Sequence, residues 1–156
     1  MEVKLMNFCR IRDENGNVVV LDKVKKVGWE GLTFPGGKVQ GHESLYAACL
    51  REVKEETGLM VEDLKYCGTL TWVFPHREDR ELIFLFDTCK FSGELLESTH
   101  EGKVFWMKEE DFLKAEGKAD YFDTYYRVIA EEKVKEAICV YHENKTAEIS
   151  FICSSL

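Results

Sequence analysis

A short acidic stretch inside a predicted helix constrains this sequence more than any other feature. Glu52, Glu55 and Glu56 fall within one helical turn. Because residues at i, i+3 and i+4 share a face, their carboxylates are expected to converge. Counting about 100° per residue from Leu45, the helix face that begins with apolar residues ends with acidic ones. Like charges repel there, close to the helix C-terminus, where the macrodipole disfavours them. Such a conflict indicates a functional site, and clustered hard oxygen donors suit Mg²⁺ or Mn²⁺.

The three glutamates belong to a longer motif over residues 37–59, which reads GKVQGHESLYAACLREVKEETGL. Glu43 follows the first glycine after five residues, and REVKEETGL begins seven residues later, with Val53 and Leu59 as its aliphatic positions. This pattern resembles a complete Nudix box. The resemblance to Nudix hydrolases implies hydrolysis of a nucleoside diphosphate linked to another group. It also implies an α/β/α sandwich with a mixed central sheet and bound Mg²⁺, for which Mn²⁺ can substitute.

Four residues of the motif are candidate metal ligands. Glu52 and Glu56, one helical turn apart, are the first choice, and Glu55 completes the acidic patch. The alternative is a solvated helix face, which most helical glutamates form; the complete box favours the metal site. In the family, the carbonyl of the glycine at Gly37 is a typical further ligand. Because glycine lacks a Cβ, we expect Gly37 to adopt a conformation closed to other residues.

Three other residues of the motif are candidates for supporting roles. In the family, the arginine at Arg51 pairs with box carboxylates and orients them, a role that affects catalysis from outside the ligand set. Its alternative is a surface pair with Glu55, worth about 0.2–0.5 kcal/mol. Glu43 is an orienting partner or serves the helix dipole. Lys38 contacts a phosphate or is an ordinary solvated lysine.

A further carboxylate is expected from a loop outside the motif, as in many Nudix enzymes. Glu101 is the best candidate, because EGKVFW at residues 101–106 resembles a segment of several MutT-type members. Glu101 would be a metal ligand or the base that takes a proton from the attacking water. Glu97 is the second choice, and His100 is an alternative base or an exposed loop histidine.

The resemblance outside the box is to the MutT branch, which destroys oxidised purine triphosphates such as 8-oxo-dGTP. It rests on FPGGKV, on EGKVFWM followed by an acidic short helix, and on an aromatic helix before a closing hairpin. The branch's base pocket corresponds here to Thr33, Phe74 and residues 119–123, in which Asp123 is the first candidate to read the purine edge and Asp120 the second. Thr33 stands where some members carry Asn. The alternative for the aromatic residues is core packing.

Three functions follow from these resemblances. The leading one is an Mg²⁺-dependent pyrophosphohydrolase that converts a purine nucleoside triphosphate, oxidised or not, to monophosphate and pyrophosphate. The second is a Nudix enzyme with another substrate, such as ADP-ribose, a dinucleotide or a pterin triphosphate. The third is a catalytically inactive Nudix domain that senses a nucleotide or scaffolds a partner, although such domains typically lose box glutamates and this chain keeps them.

Composition sets outer limits on these functions. A chain of 156 residues with 45% hydrophobic residues suits a single domain over residues 1–156 with a sizeable core. A net charge of −8 argues against binding to a nucleic-acid polymer. The six cysteines include no CxxC pair and suit reduced thiols in the cytoplasm. We expect no signal peptide and no membrane span, and a monomer or homodimer.

The pattern of apolar and turn residues predicts strands interleaved with two substantial helices, which suits a mixed α/β sandwich. The predicted elements are a hairpin of 5–12 and 17–21, a loop over 23–32, a helix over 44–57 capped by Ser44 and stopped by Gly58, strands at 66–74, 81–91 and 103–107, a short helix at 109–114, helical character over 121–135, and a closing hairpin of 136–141 and 146–153.

Overall fold

The structure is a computed structural model that describes residues 1–24 and 30–155. Three helices are interleaved with eleven strands. In chain order the elements are β1 (Val3–Ile11), β2 (Asn17–Lys23), β3 (Gly31–Thr33), α1 (Leu45–Thr57), β4 (Met60–Glu62), β5 (Lys65–Phe74), β6 (Asp79–Thr88), β7 (Lys90–Ser92), β8 (Ser98–Thr99), β9 (Gly102–Lys108), α2 (Glu109–Lys114), α3 (Phe122–Ala130), β10 (Val134–Tyr141) and β11 (Ala147–Cys153).

Two main sheets form the framework. The larger sheet has the order β1-β6-β5-β10-β11 and is mixed, since β1 with β6 and β5 with β10 are parallel pairs, whereas β5 with β6 and β10 with β11 are antiparallel. The smaller sheet has the order β3-β2-β9-β8, with antiparallel pairs throughout. Strands β4 and β7 form a short separate pair.

The core lies in two layers on opposite sides of the sheets. Alternate residues of a strand face opposite ways, and in β1 Phe8 joins one hydrophobic cluster while Cys9 joins the other. Helix α3 supplies Tyr125 and Val128 to the first cluster, and α1 supplies Val53 to the second. Helices therefore cover both sides of the strands, which confirms the predicted α/β/α sandwich with a mixed sheet.

Helix α1 begins and ends as predicted. The Ser44 hydroxyl accepts a hydrogen bond from the Ala47 N–H at 2.9 Å and so pairs one of the otherwise unbonded donors of the first turn. At the other end Gly58 adopts φ 81°, in the left-handed region that favours glycine, and its N–H donates to the Lys54 carbonyl at 2.9 Å. These two caps fix where the glutamates of the motif fall in the last turns.

The predicted first hairpin is wrong in its pairing. The turn does form, with the Asp13 N–H donating to the Asn17 carbonyl at 3.0 Å. Strand β1 then pairs with β6 in one sheet, and β2 pairs with β3 and β9 in the other. The physical reason is that both strands are apolar on both faces, so each needs cover on two sides, which a two-stranded hairpin cannot provide.

Two other boundaries differ from prediction. Helix α3 ends at Ala130 rather than reaching 135, because Val134 is a buried core residue that begins β10. The predicted loop over 23–32 is shorter, since Lys23 belongs to β2 and Gly31–Thr33 forms β3; residues 25–29 lie outside the described residues. The closing hairpin is confirmed by the antiparallel pairing of β10 and β11.

Two features bear on the cellular setting. All six cysteines are free thiols: Cys9, Cys49, Cys67 and Cys139 are buried, and Cys89 and Cys153 are exposed. Among the described residues, no helix has the length and apolar character needed to cross a membrane.

Candidate active site

The double-glycine loop runs along the edge of the larger sheet. Residues 35–39 lie beside β1, where the Asn7 N–H donates to the Gly37 carbonyl at 2.9 Å and the Cys9 N–H donates to the Pro35 carbonyl at 2.9 Å. This pairing is irregular, as a proline within the segment requires. The pairing with β1 places Gly36 and Gly37 next to the last turns of α1, where the motif's glutamates lie.

Close approach explains why both positions are glycine. A Cβ on Gly36 would lie 2.0 Å from the Asn7 carbonyl oxygen, and a Cβ on Gly37 would lie 2.4 Å from Cδ of Glu52. Neither glycine has a positive φ, so the expectation that Gly37 needs a conformation closed to other residues is wrong. Its missing side chain instead makes room for the Glu52 carboxylate.

Glu56 is the most buried carboxylate of the motif, with 6% of its surface exposed. Its Oε2 accepts a hydrogen bond from the Gly36 N–H at 3.0 Å. Burial raises the pKa of Glu56 from 4.5 to about 7; the Lys23 ammonium and the Gly36 N–H oppose the rise, and the charges of Glu52 and Glu101 add to it. Three carboxylates therefore share one electrostatic environment.

The remaining carboxylates differ in how they face this centre. Glu52 is 13% exposed at its side chain, and its Oε1 accepts from Arg51 Nη1 at 3.0 Å. Glu101 is 21% exposed, and its Oε1 lies 3.3 Å from Nε2 of the largely exposed His100.

Glu55 is 58% exposed and contacts Arg51 on the outer face of the helix. The structure thus groups Glu52, Glu56 and Glu101 and leaves Glu55 at the rim; Glu97 is exposed.

Arg51 ties the glycine loop to the helix. Its Nε and Nη2 donate to the two oxygens of Glu43 at 2.5 and 2.9 Å, and Nη2 also donates to the Lys38 carbonyl at 2.9 Å. With Nη1 it holds Glu52 and Glu55. The Arg51 guanidinium lowers the pKa of Glu43. Arg51 therefore holds the Glu52 carboxylate, which also lies against Gly37. The Lys38 side chain is exposed.

The donor chemistry of this cluster fits a hard divalent cation, since every candidate ligand is oxygen. Within residues 1–24 and 30–155, however, no three acidic, histidine or cysteine side chains already converge on one point. The carboxylates are held apart: Glu52 bonds to Arg51, and Glu56 bonds to the Gly36 N–H. A bound cation would attract these carboxylate oxygens and offset their mutual repulsion.

A small cavity of about 10 Å³ lies near the acidic cluster, with Lys23 in its lining. Thr33, on its wall, stands three residues before Gly36, and its hydroxyl lies 2.5 Å from the Tyr125 hydroxyl. Typical small-molecule sites measure about 300–1,000 Å³, whereas this cavity has room for about one water molecule, so a nucleotide base fits only if the cavity widens. Its lining residues are Phe8, Lys23, Thr33, Ala119, Asp120 and Tyr125.

Lys23 is a functional candidate that the sequence argument missed. It is only 7% exposed, lines the cavity, and makes no ion pair with the described residues. Its charge opposes the raised pKa of Glu56, so it lies between the cavity and the acidic cluster. A signal was present, because Lys23 continues the period-two register of the buried Val19 and Leu21 in β2.

The other predicted pocket residues lie elsewhere. Asp123 is 85% exposed at its side chain and sits 3.7 Å from Lys118 on the outer surface. Phe74 stacks on Trp72, with ring centroids 6.1 Å apart, and lies outside the lining of the cavity. Asp120 lines this cavity, and both Asp120 and Asp123 line a second, open depression of about 380 Å³ at the start of α3.

Similarity to known proteins agrees with this geometry. Residues 6–128 match the NUDIX domain, and the chain belongs to the Nudix hydrolase family. The recognition of the box is thereby confirmed. Nudix hydrolases generally use divalent metal ions and bind nucleotide substrates.

The relatives differ in their substrates. An 8-oxo-dGTP diphosphatase of Proteus vulgaris is 33% identical over 95 residues, which cover 60% of this chain and 83% of that protein. An NAD-capped RNA hydrolase, NudC, of Pseudomonas aeruginosa is 37% identical over 65 residues, which cover 42% of this chain and 22% of that protein. With several other relatives the match spans 24% to 60% of their length. A solved MutT protein of Bacillus halodurans shares the fold, with a TM-score of 0.77, 23% identity and coverage of 95% of this chain and 97% of that one.

Proposed function

We propose that this protein is a metal-dependent pyrophosphohydrolase of purine nucleoside triphosphates, with an oxidised purine such as that of 8-oxo-dGTP as its preferred base. The products are the nucleoside monophosphate and pyrophosphate. The observation that carries the proposal is the adjacency of two features: a carboxylate cluster of oxygen donors, and a small cavity whose lining includes the polar side chains of Lys23, Thr33 and Asp120.

The residues of the cluster have distinct roles in this proposal. Glu52, Glu56 and the Gly37 carbonyl hold Mg²⁺, or Mn²⁺ in its place, and Glu55 adds charge from the rim. When bound, the ion neutralises phosphate charge and acidifies water. Arg51 holds Glu52 in one orientation through its hydrogen bond.

Glu101 is the proposed general base, because its carboxylate faces the same environment as Glu56 from the β8–β9 turn. It would accept the proton of the attacking water as the oxygen–phosphorus bond forms. Its neighbour His100 is 80% exposed at its side chain, which favours Glu101 for a proton transfer sheltered from solvent.

The cavity supplies charge and base recognition. Lys23 is placed to neutralise a phosphate oxygen between the cluster and the cavity, and Lys38 is a further phosphate contact at the surface. Asp120 and Thr33 carry acceptors and a donor that can pair with a purine edge. A carboxylate accepts from the N–H groups that guanine presents, whereas adenine has an unprotonated ring nitrogen at the equivalent place, so a 6-oxopurine is favoured.

A nucleotide panel with product identification tests the proposal. With Mg²⁺ present, we expect 8-oxo-dGTP to give the highest kcat/KM, followed by dGTP, with dCTP and ADP-ribose far lower, and pyrophosphate as the released product. A preference for ADP-ribose or a dinucleotide would contradict the substrate class but keep the enzyme class. If the protein bound nucleotides but hydrolysed none of those in the panel, that result would indicate a sensor domain. A small-molecule substrate and unpaired thiols both suit the cytoplasm.

A further inference from the structure

One buried polar side chain at this site is not accounted for by the roles above. Asn7 is fully buried on β1, on the same face as Cys9 and Ile11, which pack against α1. Its Oδ1 accepts a hydrogen bond from the Gly37 N–H at 3.2 Å. Its Nδ2 is shielded from solvent and has no hydrogen-bond partner among the described residues.

An unpaired buried N–H is uncommon, because it loses its bond to water and gains nothing in return. The position of this donor indicates what it would bind. Asn7 holds Gly37 through Oδ1, and Gly37 lies directly against the Glu52 carboxylate. A hydrogen-bond donor therefore lies unused beside an acceptor that can take several bonds.

We propose that Asn7 is a positioning residue of the metal centre, whose Nδ2 donates to the Glu52 carboxylate when a divalent ion occupies the cluster. Glu52 Oε1 accepts from Arg51 in this structure, and the other carboxylate oxygen, Oε2, lies against Gly37. Oε2 is the oxygen proposed to accept the bond from Asn7 Nδ2. This inference rests on the proposed metal site and adds a residue outside the motif to it.

The chemistry of an amide suits this position. Arg51 already supplies one positive charge to Glu52, and a second cationic side chain in place of Asn7 would add to the repulsion of the ion that the cluster is proposed to bind. The neutral amide orients the carboxylate without that cost. Hydrogen bonds to metal-bound carboxylates commonly set ligand geometry and affinity in this way.

The direct test is the side-chain amide of Asn7 in an NMR titration of the metal-free protein with Mg²⁺ alone. We expect one of the two Nδ2 protons to move downfield, because one N–H gains a carboxylate partner, while the other changes little. If Asn7 served only to hold Gly37, its Oδ1 bond would already be made and neither proton would respond.

The backbone amide signals of Gly36 and Gly37 show whether a negative result concerns the metal site or only the role of Asn7. If they shift on Mg²⁺ addition while both Asn7 protons stay in place, the metal site stands and the role of Asn7 is overturned. If neither set shifts, no ion binds at the cluster, and both the metal assignment and the inference are overturned.

A variant supplies a second readout that does not require activity. Asn7→Leu keeps the size of the side chain and removes both polar groups, so Mg²⁺ affinity measured by calorimetry should fall about 10–100-fold. Ile11→Val, which alters a buried residue on the same face of β1 farther from the glycines, should leave Mg²⁺ affinity within about twofold. Equal affinities in Asn7→Leu and wild type would contradict the proposal.

Discussion

The two halves of the site are built in different ways. The acidic half is mostly local: the glycine loop, Arg51 and the motif's glutamates come from residues 36–56 and bond largely to one another, while Asn7 and Glu101 join them from outside that segment. The cavity is assembled from β1, β2, β3 and the chain around α3, which are far apart in sequence. Most groups proposed for bond cleavage are thus encoded in one motif, whereas groups for base selection depend on the tertiary fold.

The largest effect is expected from the acidic half. Glu52→Gln and Glu56→Gln should each lower kcat by about 1,000-fold or more, because several kcal/mol of charge stabilisation by the ion would be lost. The folded state should persist, and metal-free Glu56→Gln should melt no lower than wild type, since it removes a buried charge. Rates with saturating Mg²⁺ and thermal melts without metal provide the measurements.

Glu55→Gln is the matched control for that comparison. It lies in the same helical turn, but its side chain is 58% exposed and faces Arg51. Its activity should fall far less than that of Glu52→Gln. Equal losses in all three variants would place Glu55 among the metal ligands and contradict its position at the rim.

Replacing Gly36 by alanine should mainly lower stability, whereas replacing Gly37 by alanine should mainly lower Mg²⁺ affinity. A Cβ at Gly36 would meet backbone of Asn7, which cannot move without disturbing β1, so Gly36→Ala should lower the melting temperature. A Cβ at Gly37 would meet the end of the flexible Glu52 side chain. Gly37→Ala should therefore fold but lose about 10–100-fold in Mg²⁺ affinity, because Glu52 is displaced. Identical melting curves for the two variants would contradict this division.

Local patterns predicted local features well. Ser44 and Gly58 cap the two ends of α1 as expected, because capping depends on a few adjacent residues. The pairing of β1 and β2 was not predictable from their tight turn, since long-range partners decide it. The sequence of β2 does carry a signal for Lys23, which continues the register of the buried Val19 and Leu21. The single polar residue Asn7 in β1 has no such signal, because its role depends on the fold that places Gly37 beside it.

In the cavity half, we expect changes in base preference rather than loss of cleavage. Asp120→Asn should reduce the preference for 8-oxo-dGTP over dATP by about 10-fold, because it replaces an acceptor with a donor at the base edge. Asp123→Asn, on the outer surface, is the control and should leave the ratio of kcat/KM values unchanged. A larger effect from Asp123 would restore it as the base-reading residue.

Lys23→Met separates phosphate binding from base reading within the same cavity. Because its charge would serve every triphosphate, the variant should lower kcat/KM for 8-oxo-dGTP and dATP by similar factors, about 10-fold or more. A change in the ratio between the two substrates would instead assign Lys23 to the base.

The smallest expected effect concerns stability against pH in metal-free protein. Glu56 has its pKa raised from 4.5 to about 7, so between these values the folded protein retains a proton that the unfolded chain has lost. Its contribution to stability is therefore present below pH 4.5 and is lost as pH rises to 7, a change of up to about 3 kcal/mol. Denaturant melts of Glu56→Gln should lack this decline; parallel pH curves for variant and wild type would contradict it.

The central claim is that the acidic cluster and the cavity form one nucleotide site. The most direct measurement is an NMR titration of the Mg²⁺-loaded protein with the product 8-oxo-dGMP, following the backbone amides of both halves. Gly36 and Gly37 should shift together with Ala119 and Asp120, with a common dissociation constant. Shifts confined to the glycines, with Ala119 and Asp120 unmoved at saturation, would show that the base binds elsewhere and would contradict the account.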